Sequence, residues 1–139
     1  MKFKFLDITT ADIAFESYGK SLDQLFSNAA LAMFEVMVNT KQIKPKIEKK
    51  VELKTKDILS LLFEWLNGLL LYYGSENLAF SKFEVKINEK KFELKARCFG
   101  EEIYPEKHET RTEVKSCTYH RMEVKKTDNQ WTAQVILDI

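Results

Sequence analysis

Residues 58–73 constrain the fold more than any other stretch, because this run is apolar on almost every side of a helix. Only Ser60, Glu64 and Asn67 form a thin polar stripe along it. A helix with so little polar surface is buried on most of its circumference in a typical globular protein. We therefore expect it to lie between layers of structure or at the centre of one curved sheet.

Helix boundaries are marked by capping residues. Ser21, followed three residues later by Gln24, forms a capping-box pattern, and apolar residues at helical spacing predict a first helix over residues 22–38. Thr55 is expected to cap the second helix, and Gly74 is expected to end it.

The remaining segments favour extended structure, because apolar and polar residues alternate or β-forming residues cluster between turn signals. Strands are expected within residues 3–8, 13–18, 51–54, 80–87, 92–98, 113–125 and 131–137. Residues 88–90 should turn a hairpin. The longest irregular segment, residues 100–111, is a candidate binding loop.

Length and charge exclude several classes of protein. A chain of 139 residues fits one domain and can bury about two thirds of the surface that its unfolded form exposes. The 22 Lys and Arg and the 21 Asp and Glu are interspersed, so direct tight binding of nucleic acid is not expected. The longest charge-free apolar stretch, residues 65–74, is shorter than the roughly 20 residues that span a bilayer. With no signal-peptide pattern, a cytoplasmic location is expected.

Enzyme signatures are missing from the sequence. No Ser-His-Asp spacing, glycine-rich phosphate loop or HExxH motif occurs. Cys98 alternates in phase with apolar neighbours and is expected in the core, while Cys117 has no base in evidence and is not expected to act as a nucleophile. His108, among charged residues of the irregular segment, is expected to be solvated, and His120 is undecided.

Acidic groups lie near the apolar stretch at residues 135–139. Asp138 is one residue from the terminal carboxylate of Ile139. Two carboxylates 4 Å apart repel by about 4 kcal/mol at an effective dielectric near 20, unless a cation lies between them. Asp12, in a polar joint between two predicted strands, would complete an all-oxygen set suited to calcium or magnesium and not to zinc. The alternative is that these are ordinary solvated carboxylates, since nothing in the sequence brings them together.

A set of short motifs carries a family resemblance. The motifs are Thr10-Ala11-Asp12-Ile13, Tyr18-Gly19, Ala29-Ala30-Leu31-Ala32-Met33-Phe34, Gly100-Glu101, Glu113-Val114-Lys115, Thr118-Tyr119 and Asp138-Ile139. Together they resemble the archease family, and the match runs from Phe3 to Ile139.

The resemblance implies an α+β fold in a single domain, residues 1–139, with two main helices packed against a mainly antiparallel β-sheet. It also implies a protein that is not itself an enzyme but activates the GTP-dependent RNA ligase RtcB in tRNA splicing. Archeases help that ligase to acquire its covalent guanylate and to complete repeated turnovers. Two alternatives remain: a general chaperone or assembly modulator, and an enzyme that cleaves or transfers a nucleotide by itself.

Carried over by resemblance, the metal ligands would be Asp12, Asp138 and Ile139, the last through backbone or terminal oxygens. The ion would be calcium, with magnesium or manganese as alternatives. The family generally has histidine directly before the TAD motif, whereas Thr9 occupies that position here. Glu113 and Lys115 resemble a stretch thought important for activation, although a lysine at alternate spacing in a strand is equally well explained by a solvated face.

Overall fold

The computed structural model describes all residues from Met1 to Ile139. Seven strands and two α-helices follow one another along the chain. They are β1 (Phe3–Leu6), β2 (Ile13–Gly19), α1 (Leu22–Met37), a short 3₁₀ helix (Thr40–Gln42), β3 (Ile47–Lys54), α2 (Ile58–Glu76), β4 (Leu78–Asn88), β5 (Glu93–Glu102), β6 (Ser116–Thr127) and β7 (Gln130–Asp138).

The strands form two sheets. One has four strands in the order β1-β2-β7-β6, and the other has three in the order β3-β5-β4. Every pair of neighbouring strands is antiparallel. The predicted α+β fold with two helices and antiparallel strands is confirmed, and the strands are divided between two sheets.

Helix α1 occupies the space between the sheets. It packs on β2 and β7 of the four-stranded sheet and on β4 of the other. Its side chains Phe26, Met33 and Phe34 are fully buried. The predicted cap is present, because the Ser21 hydroxyl accepts a hydrogen bond from the Gln24 N–H at 3.2 Å.

Helix α2 begins at the predicted Ile58, but its capping residues and its end differ from those predicted. The Asp57 carboxylate caps it by accepting the Ser60 N–H at 2.7 Å. Thr55 instead donates its hydroxyl to the Asp57 carbonyl oxygen at 2.8 Å. The helix continues past Gly74 to Glu76. Its C-cap residue, Asn77, adopts the left-handed conformation with φ of 56°. Asparagine tolerates that conformation, so no glycine is required at the end of the helix.

Helix α2 is buried or half-buried at every residue of the predicted range 58–73 except Glu64 and Leu71, so most of its circumference is covered, as expected. One side of the helix packs against β6 and the three-stranded sheet, with Trp65 and Leu69 fully buried. The Trp65 indole N–H also donates to the Phe26 carbonyl oxygen at 2.9 Å and joins the two helices. A narrow strip that includes Glu64 and Leu71 faces solvent, and Leu71 is 72% exposed. Both helices contact both sheets.

A glycine permits an irregularity in the three-stranded sheet. Gly100 lies where the β4–β5 register shifts, and a Cβ atom there would be 1.8 Å from the Ala79 carbonyl oxygen. Only glycine permits this close approach of two backbones.

Strand β6 starts at Ser116 rather than at the predicted residue 113. Glu113 and Lys115 therefore lie before the strand, in the segment that connects β5 to β6.

No helix of the protein combines the length and apolarity needed to cross a membrane.

Candidate carboxylate site at one end of the four-stranded sheet

Asp12 and Asp138 lie at the same end of neighbouring strands. In the antiparallel ladder between β2 and β7, Ile13 pairs with Leu137. Asp12 directly precedes Ile13, and Asp138 directly follows Leu137. The sequence could not reveal this pairing, because strand register depends on contacts between segments that are far apart in the chain, such as that between Ile13 and Leu137.

Strand β6 brings Lys115 to the same end of the sheet. Its first residue, Ser116, pairs with Asp138. The preceding Lys115 N–H donates to the Asp138 carbonyl oxygen at 2.8 Å. The Lys115 and Glu113 side chains are both exposed. Burial raises the pKa of Tyr73, and the negative charge of Glu113 raises it further, so Glu113 lies near the C-terminal half of α2.

The two aspartates are free to bind a ligand. Asp12 is exposed and Asp138 is half-buried, and neither carboxylate forms a hydrogen bond or an ion pair within the protein. Thr9 donates its hydroxyl to the Asp12 carbonyl oxygen at 2.7 Å. Thr9 therefore holds the backbone of Asp12 and makes no hydrogen bond to its carboxylate.

The chemistry of these donors fits a hard divalent cation. The protein contains no group of three or more His, Cys, Asp or Glu side chains that could hold a metal ion. The site therefore offers two carboxylates, and further protein ligands would be other oxygens, such as those of Ile139. An all-oxygen set of this kind suits calcium or magnesium, which also keep water ligands, and does not suit zinc.

Asn67 on α2 fixes the start of β6. Its side-chain amide donates to the Cys117 carbonyl oxygen at 3.2 Å, and its side-chain oxygen accepts the Cys117 N–H at 2.8 Å. Because β6 is an edge strand, these bonds satisfy backbone groups that have no neighbouring strand. Asn67 belongs to the thin polar stripe seen in the sequence, and a lone amide on an apolar helix is a signal for such a contact.

Known proteins are similar to this chain over nearly its whole length. The model of the archease protein family matches residues 3–139. Protein archease of Sulfurisphaera tokodaii is 43% identical over 99% of both chains. Protein archease of Methanothermobacter thermautotrophicus is 47% identical over 99% of this chain and 98% of its own. The chain belongs to the archease family.

Solved structures agree with that assignment. The solution structure of Methanobacterium thermoautotrophicum protein 1598 covers 99% of both chains with a TM-score of 0.86 and 46% identity. The crystal structure of an archease from Thermotoga maritima covers 94% of this chain and 93% of its own, with a TM-score of 0.66. That protein is described as a possible chaperone, and at 23% identity the likeness concerns the fold alone.

Within this member of the archease family, His108 is buried, and the expectation that it is solvated is wrong. Its Nε2 lies 3.1 Å from a carboxylate oxygen of Glu101, which is also buried. Its Nδ1 accepts the Tyr104 N–H at 3.0 Å, so the neutral ring carries its hydrogen on Nε2 and donates it to Glu101. Burial alone would raise the pKa of Glu101, but hydrogen bonds from the Lys44 N–H, His108 and Lys107 outweigh it and lower the pKa to about 2.

The two cysteines of this archease are not accessible nucleophiles. Cys98 and Cys117 are both buried, and burial raises the pKa of each thiol to about 12. The core position predicted for Cys98 is confirmed. His120 is exposed on β6 and forms no hydrogen bond or ion pair through its ring.

Proposed function

We propose that this protein activates the GTP-dependent tRNA-splicing RNA ligase RtcB without being an enzyme itself. The observation that carries the proposal is the pairing of β2 with β7, which puts two unpaired carboxylates, Asp12 and Asp138, at one edge of the fold. Membership in the archease family supports it.

In this proposal Asp12 and Asp138 hold a divalent cation, with Ile139 adding a backbone or terminal oxygen. Calcium is the proposed ion, and magnesium or manganese are the alternatives. When bound, such an ion stabilises negative charge on phosphate oxygens. Thr9 holds the loop that carries Asp12. Exposed Lys115 adds a positive charge at the same end of the sheet, where a negatively charged group of the partner can pair with it.

An activator fits this chain better than an enzyme that acts on nucleotides alone. Both thiols are buried with raised pKa values, and the four glycines do not form a phosphate-binding loop. The two carboxylates, one exposed and one half-buried, instead lie at the surface where a partner protein could reach them.

The test is a time course of ligase guanylylation with limiting RtcB, GTP and calcium. We expect Asp12→Asn and Asp138→Asn to lose roughly tenfold or more of the stimulation, since changes at a metal site typically cost 10–100-fold. Asp128→Asn is the matched control, because Asp128 is an exposed aspartate in the turn between β6 and β7, away from the site. Its φ of 56° is one that asparagine also adopts.

Circular dichroism and thermal unfolding would verify that all three variants are folded. Full stimulation by both site variants would contradict the proposed metal site. Absence of stimulation by the wild-type protein would contradict the activator function itself.

A general chaperone is the second candidate function. It is favoured by the exposed apolar surface on α2, where Leu71 is 72% exposed, because chaperones bind unfolded chains through such surfaces. Suppression of the aggregation of unrelated proteins, undiminished by Asp12→Asn, would favour this function over the activator.

A further inference from the structure

The outer side of α2 carries a shallow groove of about 390 Å³ that opens beside the carboxylate site. We call it the α2 groove and define it by Phe63, Gly68, Leu71 and Lys115. Phe63 and Leu71 form its apolar walls, Gly68 forms its floor, and Lys115 stands at the end nearest Asp138.

The apolar walls of the α2 groove are only partly covered by the fold. Leu71 is 72% exposed. Tyr119, 51% exposed on β6, stacks on Phe63 with ring centroids 4.0 Å apart and planes 5° from parallel. A helix needs an apolar face only where it packs on the core, and contiguous apolar surface beyond that face typically marks a binding site.

Gly68 leaves the helix backbone open at the floor of the groove. A Cβ atom at this position would have no atom within 4 Å, so no internal contact requires glycine. Glycine inside a helix costs about 1 kcal/mol relative to alanine. The missing side chain therefore creates room that the protein itself does not fill.

The charged groups at the rim are unpaired. Lys115 and Glu64 both line the groove and are exposed, and neither forms an ion pair within the protein. The Lys115 backbone N–H also binds the Asp138 carbonyl oxygen, so one residue borders both the groove and the carboxylate site. A partner that covers Asp12 and Asp138 from this side would reach the groove as well.

We propose that the α2 groove is the docking site for the ligase, and that it receives an apolar side chain flanked by a carboxylate that pairs with Lys115. This inference rests on the proposed function and adds the surface through which the activator holds its partner. The apolar side chain fills the space above Gly68 between Phe63 and Leu71.

A second copy of this chain is a weaker occupant. Two copies could pair Lys115 of each with Glu64 of the other, but a stable dimer buries about 20–30 residues a side. The α2 groove has seven lining residues. A patch of this size suits one anchor within a larger interface whose other part is the carboxylate site.

Gly68→Leu tests the proposal by filling the groove. The helix tolerates leucine, and no atom obstructs a Cβ at Gly68. Gly74→Leu is the matched control, because Gly74 is the other glycine of α2, is exposed, and has equally open surroundings. Leu71→Gln removes an exposed groove wall and serves as a second variant.

Two quantities are measured for each variant: the Kd for RtcB and the concentration that gives half-maximal guanylylation. We expect Gly68→Leu and Leu71→Gln to raise both by roughly tenfold, the equivalent of 1.4 kcal/mol. Stimulation at saturating concentration should match the wild type, because Asp12 and Asp138 are intact. Gly74→Leu should leave both quantities unchanged.

Wild-type values for both groove variants would overturn the docking site, as would a wild-type protein that does not bind RtcB. A wild-type protein that binds through the groove without stimulating guanylylation would contradict the proposed function and leave the docking site standing. Sedimentation that shows a concentration-dependent dimer, abolished by Gly68→Leu, would overturn the ligase as occupant in favour of a second copy.

Discussion

Glu101 is a buried carboxylate with four partners, two that precede it in the chain and two that follow it. His108 lies 3.1 Å away and Lys107 3.2 Å away in the loop after β5, while the Lys44 N–H donates at 2.7 Å and the Lys46 ammonium lies 3.6 Å away. These contacts hold one end of the loop whose other end carries Lys115. The charge of Glu101 therefore stabilises the backbone that leads into the candidate site.

Acid should weaken this anchor. The pKa of Glu101 falls from 4.5 to about 2 in the folded protein, so the unfolded chain binds the proton more tightly. The stabilisation is complete above about pH 5 and is lost progressively as the pH falls from 4.5 towards 2. Glu101→Gln should lower the free energy of unfolding at pH 7 and reduce its loss between pH 5 and pH 3, as measured by urea unfolding at each pH.

Glu106→Gln is the control for that measurement, because Glu106 is exposed in the same loop and forms no ion pair. Its pH profile should match the wild type. An unchanged profile for Glu101→Gln would show that the Glu101 carboxylate does not set the acid sensitivity.

At the scale of elements, Asn67 couples α2 to the edge strand β6. Replacing it by alanine leaves the Cys117 N–H and carbonyl oxygen without their protein partners. A buried or half-buried backbone group without a partner costs about 1–3 kcal/mol. We expect Asn67→Ala to reduce the free energy of unfolding by that amount, and to speed amide hydrogen exchange at Cys117 and Lys115 more than in β3.

Ser60→Ala, on the same helix, is the comparison for Asn67→Ala. Ser60 contacts the Asp57 cap and not β6, so this variant should retain wild-type exchange in β6. Equal stability of Asn67→Ala and wild type would mean that water replaces the amide without cost.

The helices and most strands were predictable from local pattern, but their placement was not. Residues 58–73 are so apolar that the sequence favours a single central helix, yet both α1 and α2 contact both sheets. The reason is that apolarity shows how much surface a helix buries and does not show which other elements cover that surface. Likewise Thr55 and Asp57 are both good caps, and only the helix geometry selects Asp57.

The candidate site was also only partly predictable from the sequence. Asp12, Asp138 and Lys115 could be selected by chemistry and by family motif, whereas their convergence required the register of β2, β7 and β6. His108 was misjudged because its sequence neighbours are charged. Its burial depends on Glu101, seven residues away and on another element, and no local pattern reports that contact.

At the scale of the whole molecule, one hydrophobic cluster joins both sheets and both helices. Cys98 belongs to it from the three-stranded sheet and Cys117 from the four-stranded sheet. The two thiols therefore report on the two halves of a single core. If that core unfolds as one unit, neither thiol becomes accessible before the other.

Thiol labelling can measure this cooperativity. Burial raises the pKa of both thiols to about 12, so at pH 8 the native protein should react with a maleimide far more slowly than the exposed control variant Ser75→Cys. Mass spectrometry of digested samples should give equal labelling rates at Cys98 and Cys117, rising together with urea as the protein unfolds. Faster labelling of Cys117 alone would show that β6 and α2 open separately from the rest of the core. The edge of the fold that carries Lys115 and the α2 groove would then be a separately unfolding unit rather than part of a rigid surface.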